Sequence, residues 1–251
     1  MTADFDESSF AAERGVDPVP GNWHRDEQGL SLMLPLDNGK IHRLHVDFVS
    51  GTMGYRLRHS GRGQAIAKAI GLKKGRALPA VWDLTAGLGR DSFVLAWLGC
   101  RVTALERDPR IHALLVDGLQ RANAVDEYAA GLGDRLQVLH ADAIPWLAQQ
   151  KDPVDVIYLD PMHPERRKSA QVRKEMRMFR DLVGSDPDAN QLFTAAMRAA
   201  EVVGASRVVV KRPRNGELLS LEEGQSDAAA GPGPNHQFQG KTTRFDIYLR
   251  N

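Results

Sequence analysis

Hydrophobic and polar positions change their period along this chain. Leu30, Leu32, Leu34 and Leu36 alternate with other residues, Asp37-Asn38-Gly39 supplies residues that tolerate positive φ, and Leu44, Val46 and Phe48 alternate again, which predicts a β-hairpin. Gln64 to Ile70 has the spacing of a short helix ended by Gly71. From residue 80 onward the pattern becomes strand, helix, strand, helix. Strand-like runs occur at Ala80–Leu84, Arg101–Leu105, Leu136–Leu139, Val154–Leu159 and Arg207–Val210, with helical spacing between most of them, as in Ile111, Leu114, Leu115 and Leu119. Such alternation predicts a parallel sheet with helices on both faces. His236–Gln239 and Arg244–Arg250, separated by Gly240, predict a closing antiparallel hairpin. The expected fold class is therefore α/β: a mostly parallel, Rossmann-like sheet with a C-terminal antiparallel hairpin. Residues 1–76 form a small N-terminal subdomain containing the first hairpin, and residues 77–251 form the main domain. Residues 1–22, polar and carrying Pro18 and Pro20, are expected to be a flexible arm, and Ser226–Pro234 a low-complexity loop.

Composition narrows this picture. A chain of 251 residues with 42% hydrophobic residues buries a sizeable core. Lys and Arg (33) nearly balance Asp and Glu (32), so any argument for a polyanionic partner has to be local. The lone Cys100 excludes an intramolecular disulfide framework and a multi-cysteine zinc site, fits a reducing cytoplasm, and is expected as a small buried hydrophobe. The first 30 residues carry Asp4, Asp6, Glu7, Glu13 and Asp17 with no apolar core of signal-peptide length, and no apolar run reaches membrane-spanning length. The expectation is a cytoplasmic protein with no membrane partner and no metal.

Val81–Gly99, VWDLTAGLGRDSFVLAWLG, sets an acid on the first strand of the repeat (Asp83), Gly87 and Gly89 in the following turn, and a helix starting near Arg90-Asp91. Glycines let a backbone approach a ligand without Cβ interference, and a helix start offers unpaired N–H groups. A dinucleotide fingerprint wants a third glycine, which is absent here. Glu106 ends the second strand, where its carboxylate can accept both ribose hydroxyls of a nucleoside, with Arg107 beside it. Asp142-Ala143 closes the third strand. Asp83 and Asp91 would repel a pyrophosphate but favour a sulfonium, which points to S-adenosylmethionine as the cofactor. A closing hairpin on a parallel sheet suits a methyltransferase more than a dehydrogenase. The Gly51–Gly75 segment, with Arg56, Arg58, Arg62 and Lys68, reads either as a solvated connector or as a loop touching a ligand.

The run DVIYLDPMHPERRKSA, Asp155 to Ala170, changes character at Asp160. Asp160-Pro161-Met162-His163 resembles the Asn/Asp-Pro-Pro-Tyr/Phe signature of methyltransferases acting on amines conjugated to a ring or carbonyl. There the acid or amide side chain and a backbone carbonyl accept both N–H bonds of the amine, aiming the nitrogen and stabilising charge where it develops. Asp160 and the Pro161 carbonyl take these parts, with proline fixing the carbonyl's direction. His163 stands where the signature has an aromatic ring stacked on the target base. Seven bases (Arg166, Arg167, Lys168, Arg173, Lys174, Arg177, Arg180) follow against Glu165 and Glu175, a local charge of +5. Such a run reads as a solvated helical face in isolation, and beside a base-modifying motif as a phosphate-contacting patch, extended by Lys211, Arg212 and Arg214.

DLTAGLGRDSFVLA, GCRVTALERDP, YLDPMHPERRKSAQVRKEMRMFRDLVG, RVVVKRP and the terminal RFDIY together resemble the RsmJ family, bacterial methyltransferases of small-subunit ribosomal RNA that act on a guanine exocyclic amine; the similarity covers roughly residues 25–250. It implies a class I methyltransferase fold and a cytoplasmic rRNA (guanine-N2-)-methyltransferase. The substrate it implies is small-subunit ribosomal RNA, naked or in the assembled 30S particle. It further implies S-adenosylmethionine bound by Arg90-Asp91, Glu106-Arg107, Asp142-Ala143 and Asp160. Two rival readings use the same residues: an amino-methyltransferase of adenine in DNA or of a protein glutamine, and a non-catalytic RNA-binding assembly factor.

Overall fold

The computed structural model describes residues 22–35, 39–50, 53–54, 61, 63–125, 132–162, 182–184, 186–222 and 233–250. The expected flexible arm, the basic run after Met162 and most of the 226–234 loop lie outside these residues.

Among the described residues, seven strands form the main sheet: β4 (Ala80–Asp83), β5 (Arg101–Glu106), β6 (Leu136–His140), β7 (Val156–Leu159), β8 (Arg207–Pro213), β9 (His236–Gln239) and β10 (Thr243–Leu249). Their spatial order is β6-β5-β4-β7-β8-β10-β9. The first five run parallel and β10 is antiparallel to both β8 and β9. The chain winds outward from β4 through β5 to β6, then crosses back to β7 on β4's other side. This reversal opens a crevice at the carboxyl ends of β4 and β7. Strand β8 runs three residues beyond the sequence expectation because β10 pairs with its whole length, from Thr243↔Pro213 to Leu249↔Arg207. At the other extreme, Val154 is buried but unpaired by the ladder, so β7 starts two residues late.

Helices cover both faces. α2 (Arg90–Trp97) and α3 (Pro109–Asn123) pack in one core with Val81, Val102, Ala104 and Tyr158. α5 (Ala143–Leu147) and α6 (Ala189–Val202) enclose a second core with Leu105, Ile157, Leu159, Val208 and Val210. α1 (Ala65–Ala69) and α4 (Leu132–Arg135) are short, about one turn each. Asp108 caps α3 by accepting from the Arg110 and Ile111 amides, with Pro109 at the first helical position, where its missing N–H costs nothing.

The N-terminal sheet has three strands, β1 (Trp23–Asp26), β2 (Gly29–Pro35) and β3 (Ile41–Leu44), all antiparallel. The expected hairpin is therefore β2 with β3, and the pattern missed the polar edge strand β1. It also misread Val46 and Phe48: they leave the ladder and bury against the helices. Phe48 stacks on Phe93 with ring centroids 4.1 Å apart, and Val46 fills the space beside Gly118, where an added Cβ would lie 2.6 Å from Val46 Cγ1. Leu30, Leu32, Leu44, Val46 and Phe48 thus share one core with α2, α3 and the sheet. Each large side chain buried there contributes about 1.5–3 kcal/mol.

Candidate active site

A cavity of about 240 Å³ opens at the crevice, and Asp83, Gly87, Arg90, Asp91, Glu106, Arg107, Asp142, Ala143 and Asp160 all line it. Gly89 and Pro161 do not. Gly89 begins α2 in the left-handed conformation, φ +68°, and an added Cβ would sit 2.4 Å from Leu115 and 3.1 Å from Phe48. Its role is close packing that sets the helix against the turn. Pro161 is buried. His163, Arg166, Arg167, Lys168, Arg173 and Lys174 lie outside the described residues.

The glycine turn is braced by two buried acids. The Thr85 amide donates to Asp83 Oδ1 at 3.1 Å, and the Ser92 hydroxyl donates to Asp83 Oδ2, so this carboxylate ties the end of β4 to the first turn of α2. Burial pushes Asp83 up to about 7, against these bonds and with Asp91 and Asp160 adding to the push. Glu106 accepts the Gly87 amide on Oε2 and the Asp108 amide on Oε1, both at 2.8 Å. Burial pushes Glu106 likewise up to about 7. A carboxylate offers about four acceptor positions, so each Glu106 oxygen retains one beyond its backbone bond. Asp142 caps α5 by accepting the Ile144 amide at 2.9 Å.

On the other wall, β7 delivers Asp160 to the cavity. Its amide donates to Thr85 Oγ1 at 2.6 Å, locking the strand end to the glycine turn. Lys211, on the neighbouring β8, donates to Asp160 Oδ2 at 2.6 Å and to Asp91 Oδ2 at 2.7 Å, while the Tyr158 hydroxyl donates to the same Asp91 oxygen at 2.8 Å. The two carboxylates hold Lys211 well above the usual lysine range, although desolvation opposes them. Desolvation raises Asp160, the Lys211 ammonium opposes that, and Asp91 adds to the rise. With 39% of its side chain open and a protonated amine in contact, Asp160 is one half of an ion pair at neutral pH. Its Oδ1 accepts nothing from the described residues.

The structure corrects the expected place of two bases. Lys211 and Arg212 are expected on a phosphate-contacting surface, yet Lys211 points into the cavity and Arg212 is buried, donating from Nε to the Glu217 carbonyl at 3.1 Å. Strand alternation sends the two side chains to opposite faces of β8, and both faces are covered. Sequence reasoning also missed Thr85, Tyr158, Asp186 and Asp188. Arg107 donates to Asp188 Oδ2 at 2.7 Å and to Asp186, and Asp186 Oδ2 accepts the Met162 amide at 2.6 Å. This clasp joins the ends of β5 and β7 through residues some eighty positions apart. The rule that ligands lie at strand carboxyl ends would have found Lys211, whereas nothing local marks Asp186 or Asp188.

The donor set fits S-adenosylmethionine. Asp83, Asp91, Glu106, Asp142, Asp160, Asp186 and Asp188 face the cavity against Arg90, Arg107 and Lys211, a balance that favours a cation over a polyphosphate. Leu84, Leu105, Ala141, Ile144 and Leu192 give apolar walls for a nucleobase.

Comparisons with known proteins agree with this chemistry. A family model described as "Putative SAM-dependent methyltransferase" matches residues 22–250. The chain is 47% identical, over 89% of its length and 75% of the relative's, to ribosomal RNA small subunit methyltransferase J of Marinobacter nauticus. It is 50% identical, over 89% and 82%, to the protein of that name in Thioalkalivibrio sulfidiphilus. The crystal structure of a SAM-dependent methyltransferase from Neisseria gonorrhoeae superposes with a TM-score of 0.65 at 37% identity, covering 99% of this chain and 93% of that one. The sheet order, the acid-lined crevice and sequence identity across nearly the whole chain lead to one assignment: the chain belongs to the ribosomal RNA small subunit methyltransferase J family, S-adenosylmethionine-dependent enzymes of class I fold.

Proposed function

We propose that this protein methylates the exocyclic N2 amine of a guanine in small-subunit ribosomal RNA, in the cytoplasm. The observation that carries the reading is Asp160 at the carboxyl end of β7, anchored on one oxygen by Lys211 and open on the other. The proteins named methyltransferase J support RNA as the substrate class.

S-adenosylmethionine supplies an electrophilic methyl on a positively charged sulfur. Glu106 has lone pairs for the ribose hydroxyls, Asp142 and Ala143 with their apolar neighbours receive the adenine, and the Gly87 turn and Asp91 line the remaining wall. A guanine N2 amine is a weak nucleophile because its lone pair is delocalised into the ring. Asp160 Oδ1 accepts one of its N–H bonds, directing the nitrogen lone pair out of conjugation and stabilising the positive charge that grows there. The proton released afterwards leaves through that carboxylate or to solvent. His163 stacks on the base, and Arg166, Arg167, Lys168, Arg173 and Lys174 contact backbone phosphates.

The test is incubation of the enzyme and labelled S-adenosylmethionine with naked small-subunit ribosomal RNA, and with assembled subunits from cells lacking the enzyme, followed by nucleoside analysis. Label in N2-methylguanosine is expected, and the better substrate shows when methylation occurs. Label only in methyladenine of DNA or in glutamine of a protein assigns another amine, and cofactor binding without transfer to any acceptor assigns an assembly factor.

A further inference from the structure

Lys211 lies in the second half of β8, and its ammonium is the point where three elements of the site meet. Asp91 comes from the first turn of α2, Asp160 from the end of β7, and both present an oxygen within 2.7 Å of Lys211 Nζ. Each anchor is fixed independently of the lysine. The Tyr158 hydroxyl holds Asp91 on the same oxygen, and Thr85 holds the Asp160 backbone. We propose that Lys211 is a positioning residue for methyl transfer, gripping Asp160 through Oδ2 so that Oδ1 stays ionised and faces the acceptor amine. The proposal rests on the role given to Asp160 above.

Two carboxylate oxygens that share one nitrogen are close enough that, without a cation between them, one of the groups takes up a proton. A protonated Asp160 is a hydrogen-bond donor and competes with the amine it is meant to receive. Lys211 removes that conflict, and its compact ammonium, with three donors, serves both acids and keeps one donor spare. The charged and titratable groups around it are Asp91 and Arg90 on α2, Tyr158 and Asp160 on β7, Asp83 on β4 and Arg212 beside it on β8. On β10 the residue paired with Lys211 is the apolar Phe245. Of these, Asp83 is occupied by Ser92 and Thr85, and Lys211 donates to both Asp91 and Asp160.

The experiment compares wild type, Lys211→Met, Lys211→Arg and the double variant Asp91→Asn/Lys211→Met. One readout is the pH dependence of single-turnover methyl transfer. The other is a carbon-13 carboxyl titration of Asp160 in the RNA-free protein, which needs no turnover. In Lys211→Met the Asp160 titration and the acidic limb of the rate are expected to rise together by at least about one pH unit, the scale of a lost neighbouring charge. Lys211→Arg restores most of the shift, and Asp91→Asn in the Met background brings the limb back down. Should methionine prevent folding at this site, Lys211→Gln, neutral but hydrogen-bonding, is read the same way. A rate lowered equally at every pH with the Asp160 titration unmoved, or Arg no better than Met, overturns the assignment. If Asp160→Ala keeps the full rate, the role of Asp160 fails as well. If that variant loses rate normally while the Lys211→Met limb stays in place, only the lysine's role fails.

Discussion

At the scale of single residues, burial does most to set the site's chemistry. Glu106 was legible in the sequence because it ends a strand opposite a glycine turn, but its two backbone bonds were not, since they depend on how the turn folds over it. A carboxyl that keeps its proton to about pH 7 when folded, against 4.5 as its ordinary value, binds more protons in the native state across that window. Its contribution to stability is therefore fully present below about pH 4.5 and is lost as pH rises through about 7. Urea unfolding of wild type and Glu106→Gln at pH 5 and pH 8 checks the sign. The variant, which cannot titrate there, is expected to gain about 1–3 kcal/mol on wild type between the two pH values. An unchanged difference would mean that Glu106 is ionised throughout.

At the scale of elements, the five parallel strands could be read from periodicity, because each contains an apolar run, and the closing hairpin from the apolar β10 and the Gly240 turn before it. Val46 and Phe48 show the limit of that reasoning. A period of two reports side chains facing one core, whether or not the backbone joins a ladder. The attachment of the N-terminal sheet was likewise illegible, as it depends on Asp117, a carboxylate on α3 with only 2% of its side chain exposed. Asp117 accepts the Leu30 amide at 3.0 Å, Arg25 at 2.9 Å and Arg121 at 2.8 Å, tying β1 and β2 to the main domain. Asp117→Ala removes the acceptor that the buried Leu30 amide, Arg25 and Arg121 share, and should cost about 1–3 kcal/mol, chiefly for the buried amide. Loss of less than about 1 kcal/mol in denaturant unfolding would show that the shared apolar core alone secures the sheet.

At the scale of the whole molecule, the sheet order assembles residues that are far apart in sequence. Local reading placed Asp83, Asp91, Glu106, Asp142 and Asp160 at strand or helix ends, and one cavity gathers them all. It placed Lys211 and Arg212 with the basic run because a charge count ignores which face of a strand each residue occupies. It gave no hint of the Arg107, Asp186 and Asp188 clasp, whose partners are separated by a whole crossover. In an almost neutral chain, the basic run carries the proposed RNA affinity. Replacing Arg166, Arg167 and Lys168 together by alanine should weaken RNA binding and flatten the plot of log affinity against log salt by about 2–3, while S-adenosylhomocysteine affinity holds. An unchanged slope would place the phosphate contacts elsewhere.

The central claim is that the carboxylate of Asp160 orients the acceptor amine. Its most direct measurement is the single-turnover rate of Asp160→Ala with saturating S-adenosylmethionine and small-subunit ribosomal RNA, beside the calorimetric affinity for S-adenosylhomocysteine. The rate is expected to fall about 10²–10³-fold, the scale of one preorganised polar contact at a reacting centre, with affinity changed only a few-fold. An unchanged rate, or a fall explained wholly by lost cofactor binding, would contradict it.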